Sequence, residues 1–283
     1  MRRAAGFFRL VRPVNGLMMG FAVIVGASLV LAEPVTLEVG ISLLLGFVTG
    51  FTLAAASMAI NDYYDMEIDK VNEPGRPLPD GVIKPREALV FAALLTMVGL
   101  AAAVSTSLSC LGLAAVAWVV AVSYNTRGKQ TGLPGNCLVG ACVAIPFLYG
   151  SIIVRDSLDQ TALLFAAMAF LSITGREVAK GIVDVEGDKT RGVRTVAISR
   201  GEKAAALLAS FLFLSAVLLS FLPVFLNLVR IGYVPFVAVT DLGFLASSVL
   251  LLRDPSRGNA RRIKNLALVS MMFGMISFFA GTL

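Results

Sequence analysis

The residues that could do chemistry lie in two short acidic stretches. The first runs from Asn61 to Gly81, NDYYDMEIDKVNEPGRPLPDG, and holds Asp62, Asp65, Glu67, Asp69, Glu73 and Asp80, six of the eighteen acidic residues in the chain. Continued as a helix, it places Asn61, Asp65 and Asp69 at i, i+4 and i+8, stacked on one face. Such a like-charged face is unfavourable alone and implies a bound cation. The second stretch, Asp184-Val-Glu-Gly-Asp188, repeats the i, i+4 carboxylate pair behind Arg176, Glu177 and Lys180. On a helix Arg176, Lys180, Asp184 and Asp188 share a face. The donors are all oxygen and the chain has no histidine, a set that suits Mg²⁺ holding a phosphate or diphosphate.

Plainer accounts exist for each stretch. A charge run is often a solvated loop, and alternating charges at i, i+4 can be simple ion pairing. Against the first account stand Pro74, Pro77 and Pro79, three prolines in six residues, which fit a loop that brings Arg76 back over the acids. Against the second, Arg176 and Lys180 fall within the end of a membrane-length span, where charge is costly and faces an internal cavity. A third segment, Tyr124-Asn-Thr-Arg127-Gly-Lys129-Gln-Thr-Gly-Leu-Pro-Gly-Asn136, is short, basic and rich in glycine. It is either a loop obeying topology or a further source of cations and a tyrosine hydroxyl for the same mouth. Asn15, near the start of the first span, is a helix-end polar group or a cavity residue. Asp241 stands alone in an apolar run, a functional candidate or a hydrogen-bonded packing residue.

These stretches need membrane helices to position them. The chain of 283 residues is 57% hydrophobic and 15% charged, against about 25% charged in soluble domains, with mean hydropathy +0.85. Apolar runs near the ~20 residues a bilayer requires predict an all-α polytopic protein of nine spans, at about 14–32, 38–62, 86–106, 108–125, 134–154, 159–183, 202–222, 231–252 and 263–282. It reads as a single domain over 1–283, capped by loops at about 63–85, 126–133 and 184–201. No cleavable signal follows the basic residues 1–13. The alternation puts 22 of the 24 basic residues on one side, leaving Arg155 and Arg230 on the other. The positive-inside rule then predicts a cytoplasmic N-terminus, an external C-terminus and both acidic stretches facing the cytoplasm. The net charge of +6 reports topology and lipid contact, not nucleic acid. Cys110, Cys137 and Cys142 sit in apolar runs, so no disulfide framework or thiolate metal site is expected. Without histidine, histidine triads and zinc–histidine sites are excluded.

Asn61-x3-Asp65-x3-Asp69 followed by Asp184-x3-Asp188 resembles the paired aspartate signatures of the UbiA superfamily of intramembrane prenyltransferases. NDYYDMEIDKVNEPGRPLPDG and DVEGDKTRGVRTVAI look most like the archaeal branch that makes digeranylgeranylglyceryl phosphate. The resemblance covers nearly the whole chain, since the nine spans and loop positions also match. It departs at Gly181, where several relatives carry an additional aspartate, so the second site is expected to use fewer carboxylates. The resemblance implies a bundle around a central cavity open sideways to membrane lipid. Mg²⁺ would be held by Asn61, Asp65, Asp69, Asp184 and Asp188, with Asp62 in support, and would grip a prenyl diphosphate donor. Arg76, Lys129, Lys180, Arg127 and Tyr124 would bind the diphosphate, and Asn15 and Asp241 are candidates for the cavity or acceptor. The reaction implied is transfer of a geranylgeranyl group through an allylic cation to geranylgeranylglyceryl phosphate. An aromatic acceptor such as 4-hydroxybenzoate is the alternative within the superfamily. A cation transporter is the alternative of another class, although its acids would favour the bilayer midplane, where only Asp241 lies.

Overall fold

The computed structural model describes residues 2–190 and 192–283, apart from the side chains of Ile68, Val71, Asn72 and Thr190; Arg191, one of the basic residues of the third cap loop, lies outside them. Every regular element among the described residues is helical. Helix α1 (Arg2–Leu10) meets α2 (Pro13–Ser28) at a bend of 43°. Then follow α3 (Leu37–Asn72), α4 (Pro85–Thr106), α5 (Leu108–Thr126), α6 (Leu133–Arg155) and α7 (Gln160–Val183). Two short helices, α8 (Val185–Thr190) and α9 (Val196–Arg200), precede α10 (Glu202–Ser220), α11 (Leu222–Phe225), α12 (Tyr233–Arg253) and α13 (Arg257–Ala280). Among the described residues eight helices are long and apolar enough to cross a membrane, and the count is nine if the bent α1–α2 pair is taken as one span. The chain is a multi-pass membrane protein.

Helix ends follow local chemistry. Thr36 caps α3 by accepting from Val39 N (3.3 Å), and Ser107 opens the tight α4–α5 hairpin by accepting from Cys110 N (3.0 Å). Ser256 caps α13, which begins at Arg257, six residues before the expected 263. The largest departure is α3. The sequence predicts a span ending near 62 and a loop from 63, but the helix runs 36 residues to Asn72. No proline or glycine occurs between Asp62 and Glu73, so loss of hydrophobicity alone does not break the helix; Pro74 and Gly75 do. The loop at 126–133 contains a 3₁₀ turn, Gly128–Gln130, and that at 184–201 contains α8 and α9.

Around the bundle α3 packs on α2, α4 and α5, α6 on α2, α5 and α7, and α7 on α10 and α13; α12 joins α10 to α13, and α13 returns to α2. Helices α2 and α6 cross closely. Gly26 lies against the Phe147 backbone, and Gly150 against that of Val23, in positions where a Cβ would collide with main-chain atoms. Small residues at such crossings let membrane helices approach closely. Large side chains such as Leu44, Leu108, Phe211, Leu218 and Leu242 are exposed on the rim, as a lipid-facing surface requires.

Candidate active site

Because α3 continues past the membrane-length segment, the first acidic stretch is a helical face and not a loop. Asp65 is half-buried and accepts from Lys129 Nζ at 2.6 Å, across the 3₁₀ turn. One turn on, Asp69 is buried and accepts from Arg76 Nη1 at 2.5 Å. The segment after Asn72 folds back as its prolines predict, with Ile83 N bonded to Pro77 O at 3.1 Å and Gly81 at φ +69°. That fold brings Arg76 over the acids. Burial raises the Asp69 carboxyl above its ordinary 3.8 despite the opposing pull of Arg76. The Arg76 guanidinium is raised too: burial works against its charge, and Asp62 and Asp69 outweigh it.

Asp62 lies off this face. Its side chain is buried, and Oδ1 accepts from Arg12 Nη2 at 2.5 Å and from Arg76 Nη1 at 3.5 Å. It therefore anchors two arginines. Asn61 donates through Nδ2 to Asn125 Oδ1 at 3.1 Å. Asn15 is exposed at the first turn of α2, its amide 3.9 Å from Met58 Sδ. Arg127 is exposed at the end of α5.

The second stretch straddles a helix end. Asp184 caps α7, donating its backbone N–H to Lys180 O, and its own carbonyl accepts from Asp188 N at 2.8 Å. Asp184 and Asp188 are both half-buried. Lys180 Nζ pairs with Glu177 at 3.3 Å and lies within electrostatic reach of Tyr124 and Asp184. Arg176, assigned by spacing to the same face, donates through Nε to Lys264 O on α13 at 3.2 Å and through Nη1 to Glu177, its neighbour on α7, at 2.8 Å.

Tyr124, near the end of α5, feels the charges of Glu177 and Lys180 and also that of Asp65. The cap segments are also tied directly, by Arg194 N to Gln130 O at 3.1 Å. Arg257 at the start of α13 pairs with Glu186 on α8 at 2.5 Å. Both acidic stretches thus occupy one end of the bundle. Asp241 does not join them: it accepts from Ser220 Oγ at 2.8 Å, and Tyr233 donates to the Ser220 carbonyl at 3.0 Å.

Two residues at this mouth carried no decisive signal in the sequence. Arg12 counted only towards topology, and Asn125 is an unremarkable polar residue 64 positions from its partner. Glu177 did offer a signal, as a carboxylate near the end of an apolar span. Among the described residues no three acidic side chains gather as a ready-made metal cage. The donor set still fits Mg²⁺, which is commonly held by one or two carboxylates plus substrate phosphate oxygens rather than by an all-protein cage.

Residues 19–274 match the UbiA prenyltransferase family. The chain is 39% identical over 276 residues to the digeranylgeranylglyceryl phosphate synthase of Archaeoglobus fulgidus, covering 96% of this chain and 93% of that one. It is 35% identical to the Methanosarcina mazei enzyme of the same name, covering 97% of each. A solved structure concerned with digeranylgeranylglyceryl phosphate synthase in membranes superposes with a TM-score of 0.82 at 30% identity, over 100% of this chain and 99% of that one. A UbiA homologue from Archaeoglobus fulgidus bound to GPP and Mg²⁺ has the same fold, with a TM-score of 0.70 at 20% identity and coverage of 96% and 99%. The chain belongs to the UbiA prenyltransferase family.

Proposed function

We propose that this chain transfers a geranylgeranyl group from geranylgeranyl diphosphate to the free hydroxyl of geranylgeranylglyceryl phosphate, with Mg²⁺ as cofactor. The observation that supports the site is the run of contacts from Asp65 to Lys129, from the adjacent Gln130 carbonyl to Arg194 N, and from Val193 N to the Asp188 carbonyl. The relatives' name supports the acceptor. Asn61, Asp65 and Asp69 would hold one metal, and Asp184 and Asp188 another. Bound there, Mg²⁺ supplies positive charge to the diphosphate oxygens as the leaving group departs. Asp62 serves by holding Arg12 and Arg76 in place.

The protein's own side chains do the rest. Lys129 and Arg76, paired with Asp65 and Asp69, turn to the outer oxygens of an arriving diphosphate, and Lys180 and exposed Arg127 add charge. The allylic C–O bond breaks with its electron pair on the diphosphate, and the bundle keeps water from the resulting cation. The acceptor oxygen bonds to that carbon, and its proton passes to the diphosphate. Asn15, at the top of α2 beside Met58, is placed to line the path of the prenyl tail. The whole chain acts as one catalytic domain with its mouth on the cytoplasmic side.

The test is to incubate the purified protein with geranylgeranyl diphosphate, Mg²⁺ and either geranylgeranylglyceryl phosphate or 4-hydroxybenzoate, and to read product mass. Only the lipid acceptor should gain a geranylgeranyl group. A prenylated aromatic alone would transfer the reading to the quinone-precursor branch, and Mg²⁺ flux in liposomes without diphosphate release would refute the enzyme.

A further inference from the structure

Asn61 can ligate a cation only through Oδ1, because the lone pair of an amide nitrogen is delocalised and its hydrogens point outward. Which end of the amide faces the mouth therefore decides whether Asn61 is a ligand at all. The structure supplies a device that makes this choice. Asn125, in the last turn of α5, is only 2% exposed. Its Nδ2 donates to both Ser57 O (3.2 Å) and Ser57 Oγ (2.9 Å). Its Oδ1 then accepts from Asn61 Nδ2 at 3.1 Å.

The order of this relay is fixed by chemistry. Turned over, Asn125 would set its own oxygen against the Ser57 carbonyl with no proton between them, so its two N–H bonds must face Ser57. Asn125 then shows Asn61 an acceptor only, and Asn61 must answer with its NH₂. The Oδ1 atom is left as the end of the Asn61 amide that Asn125 does not use. Ser57 sits one turn before Asn61 on α3, so the relay is referenced to the same helix that carries Asp65 and Asp69.

We infer that Asn125, locked by Ser57, is a positioning residue that sets the amide orientation of Asn61 and so presents its oxygen to Mg²⁺. The inference rests on the assignment of Asn61 as a ligand made under Proposed function. Partners that orient a metal ligand typically contribute about 10–100-fold to metal affinity. Without Asn125 the Asn61 amide is free to rotate, and the metal loses one oxygen for part of the time.

Mn²⁺ binding to the full-length protein in the presence of inorganic diphosphate, followed by electron paramagnetic resonance, provides a readout independent of turnover. Asn125→Ala should weaken Mn²⁺ binding about 10–100-fold, and Asn61→Ala by a similar factor. The double variant should bind no more weakly than Asn61→Ala alone, because one acts through the other. Ser57→Ala, which removes only the hydroxyl, should weaken binding a few-fold in the same direction and decides the matter if Asn125→Ala does not fold. A weakened Asn61→Ala beside unchanged Asn125→Ala or Ser57→Ala would overturn the relay, as would additive losses in the double variant. An Asn61→Ala protein that binds Mn²⁺ normally would overturn the ligand assignment itself.

Discussion

Replacing Arg76 with glutamine should move the acid limb of the pH–rate profile to higher pH. Arg76 Nη1 lies 2.5 Å from Asp69, whose side chain is 9% exposed, while Arg76 is 24% exposed. Two unit charges about 4 Å apart attract by about 4 kcal/mol at an effective dielectric near 20. Residual solvent and the cost of ordering Arg76 reduce this towards the ~1.5–3 kcal/mol of a hydrogen bond between charged groups. That attraction is the part of the balance that Arg76→Gln removes. The sign follows from the site: burial already raises the Asp69 carboxyl above 3.8, and Arg76 is what opposes it. Removing Arg76 leaves burial and the neighbouring Asp65 and Glu73 charges unopposed, so Asp69 should take up a proton at higher pH, and a metal held there would lose its oxygens sooner as pH falls. Initial rates of diphosphate release should be measured from pH 5 to 8 at subsaturating Mg²⁺, because excess metal competes with the proton and hides the shift. The level of the plateau should also fall, by about 10²-fold, the usual effect of losing one preorganised group that stabilises charge in the transition state. An acid limb that stays in place or moves to lower pH would refute the claim that Arg76 holds Asp69 ionised.

Asp65→Ala should reduce diphosphate release by at least about 10²-fold and leave Lys129 without its partner; turnover within a few-fold of the parent would remove Asp65 from the site. Arg12 adopts φ 46° at the α1–α2 bend while holding buried Asp62. Arg12→Ala should therefore cost about 1–3 kcal/mol of stability, and Arg12→Gly about 1 kcal/mol less than that, since glycine alone takes the left-handed backbone without strain; equal thermal unfolding of the two in detergent would refute the strain argument. Gly150→Val should open the α2–α6 crossing against the Val23 carbonyl and lower the unfolding temperature more than Gly187→Val, where a Cβ meets open space. Cysteines placed at Arg127 and Arg257 should react with an impermeant thiol reagent from the same side of the membrane, opposite to one placed at Ile231; a mixed pattern would refute the topology.

What the sequence made legible here was what repeats within one helix. The i, i+4 spacing of Asn61, Asp65 and Asp69 survives any error in where the helix ends, which is why their shared face could be read although the span was ended ten residues early. The end itself was misplaced because falling hydrophobicity marks the edge of the membrane, whereas the helix stops only where Pro74 and Gly75 interrupt its hydrogen bonds. Arg176 shows the converse limit. Its spacing from Lys180 is right for one face, yet α13 offers it the Lys264 carbonyl, and a neighbour from 88 positions away is invisible to periodicity. Arg12 with Asp62 and Asn61 with Asn125 are partners across 50 and 64 positions, determined by which helices touch rather than by any local pattern.

The pairing of every acid on the α3 face with a cation bears on how the site handles its charge. Buried carboxylates without counter-ions would take up protons and cease to be metal ligands. Arg76 opposes the effect of burial on Asp69, and both it and Lys129, the partner of Asp65, reach the α3 face from loops rather than from the helix itself. The same two cations are what an arriving diphosphate needs. On the proposed function, a metal–diphosphate complex would bring its metal to the carboxylates and its anion to Lys129 and Arg76, so like and unlike charges would remain matched before and after. The exchange requires side chains that can move by a few ångströms while the carboxylates stay fixed. Long basic residues on the 3₁₀ turn and on the proline-rich loop, set against short aspartates on a continuous helix, meet that requirement. Shortening the bases should therefore be more damaging than removing their charge from the resting state implies: Lys129→Arg should retain more activity than an ornithine-length analogue at the same position, although all three groups carry the same charge. Equal rates for the two substitutions would mean that Lys129 serves Asp65 alone and never reaches the substrate.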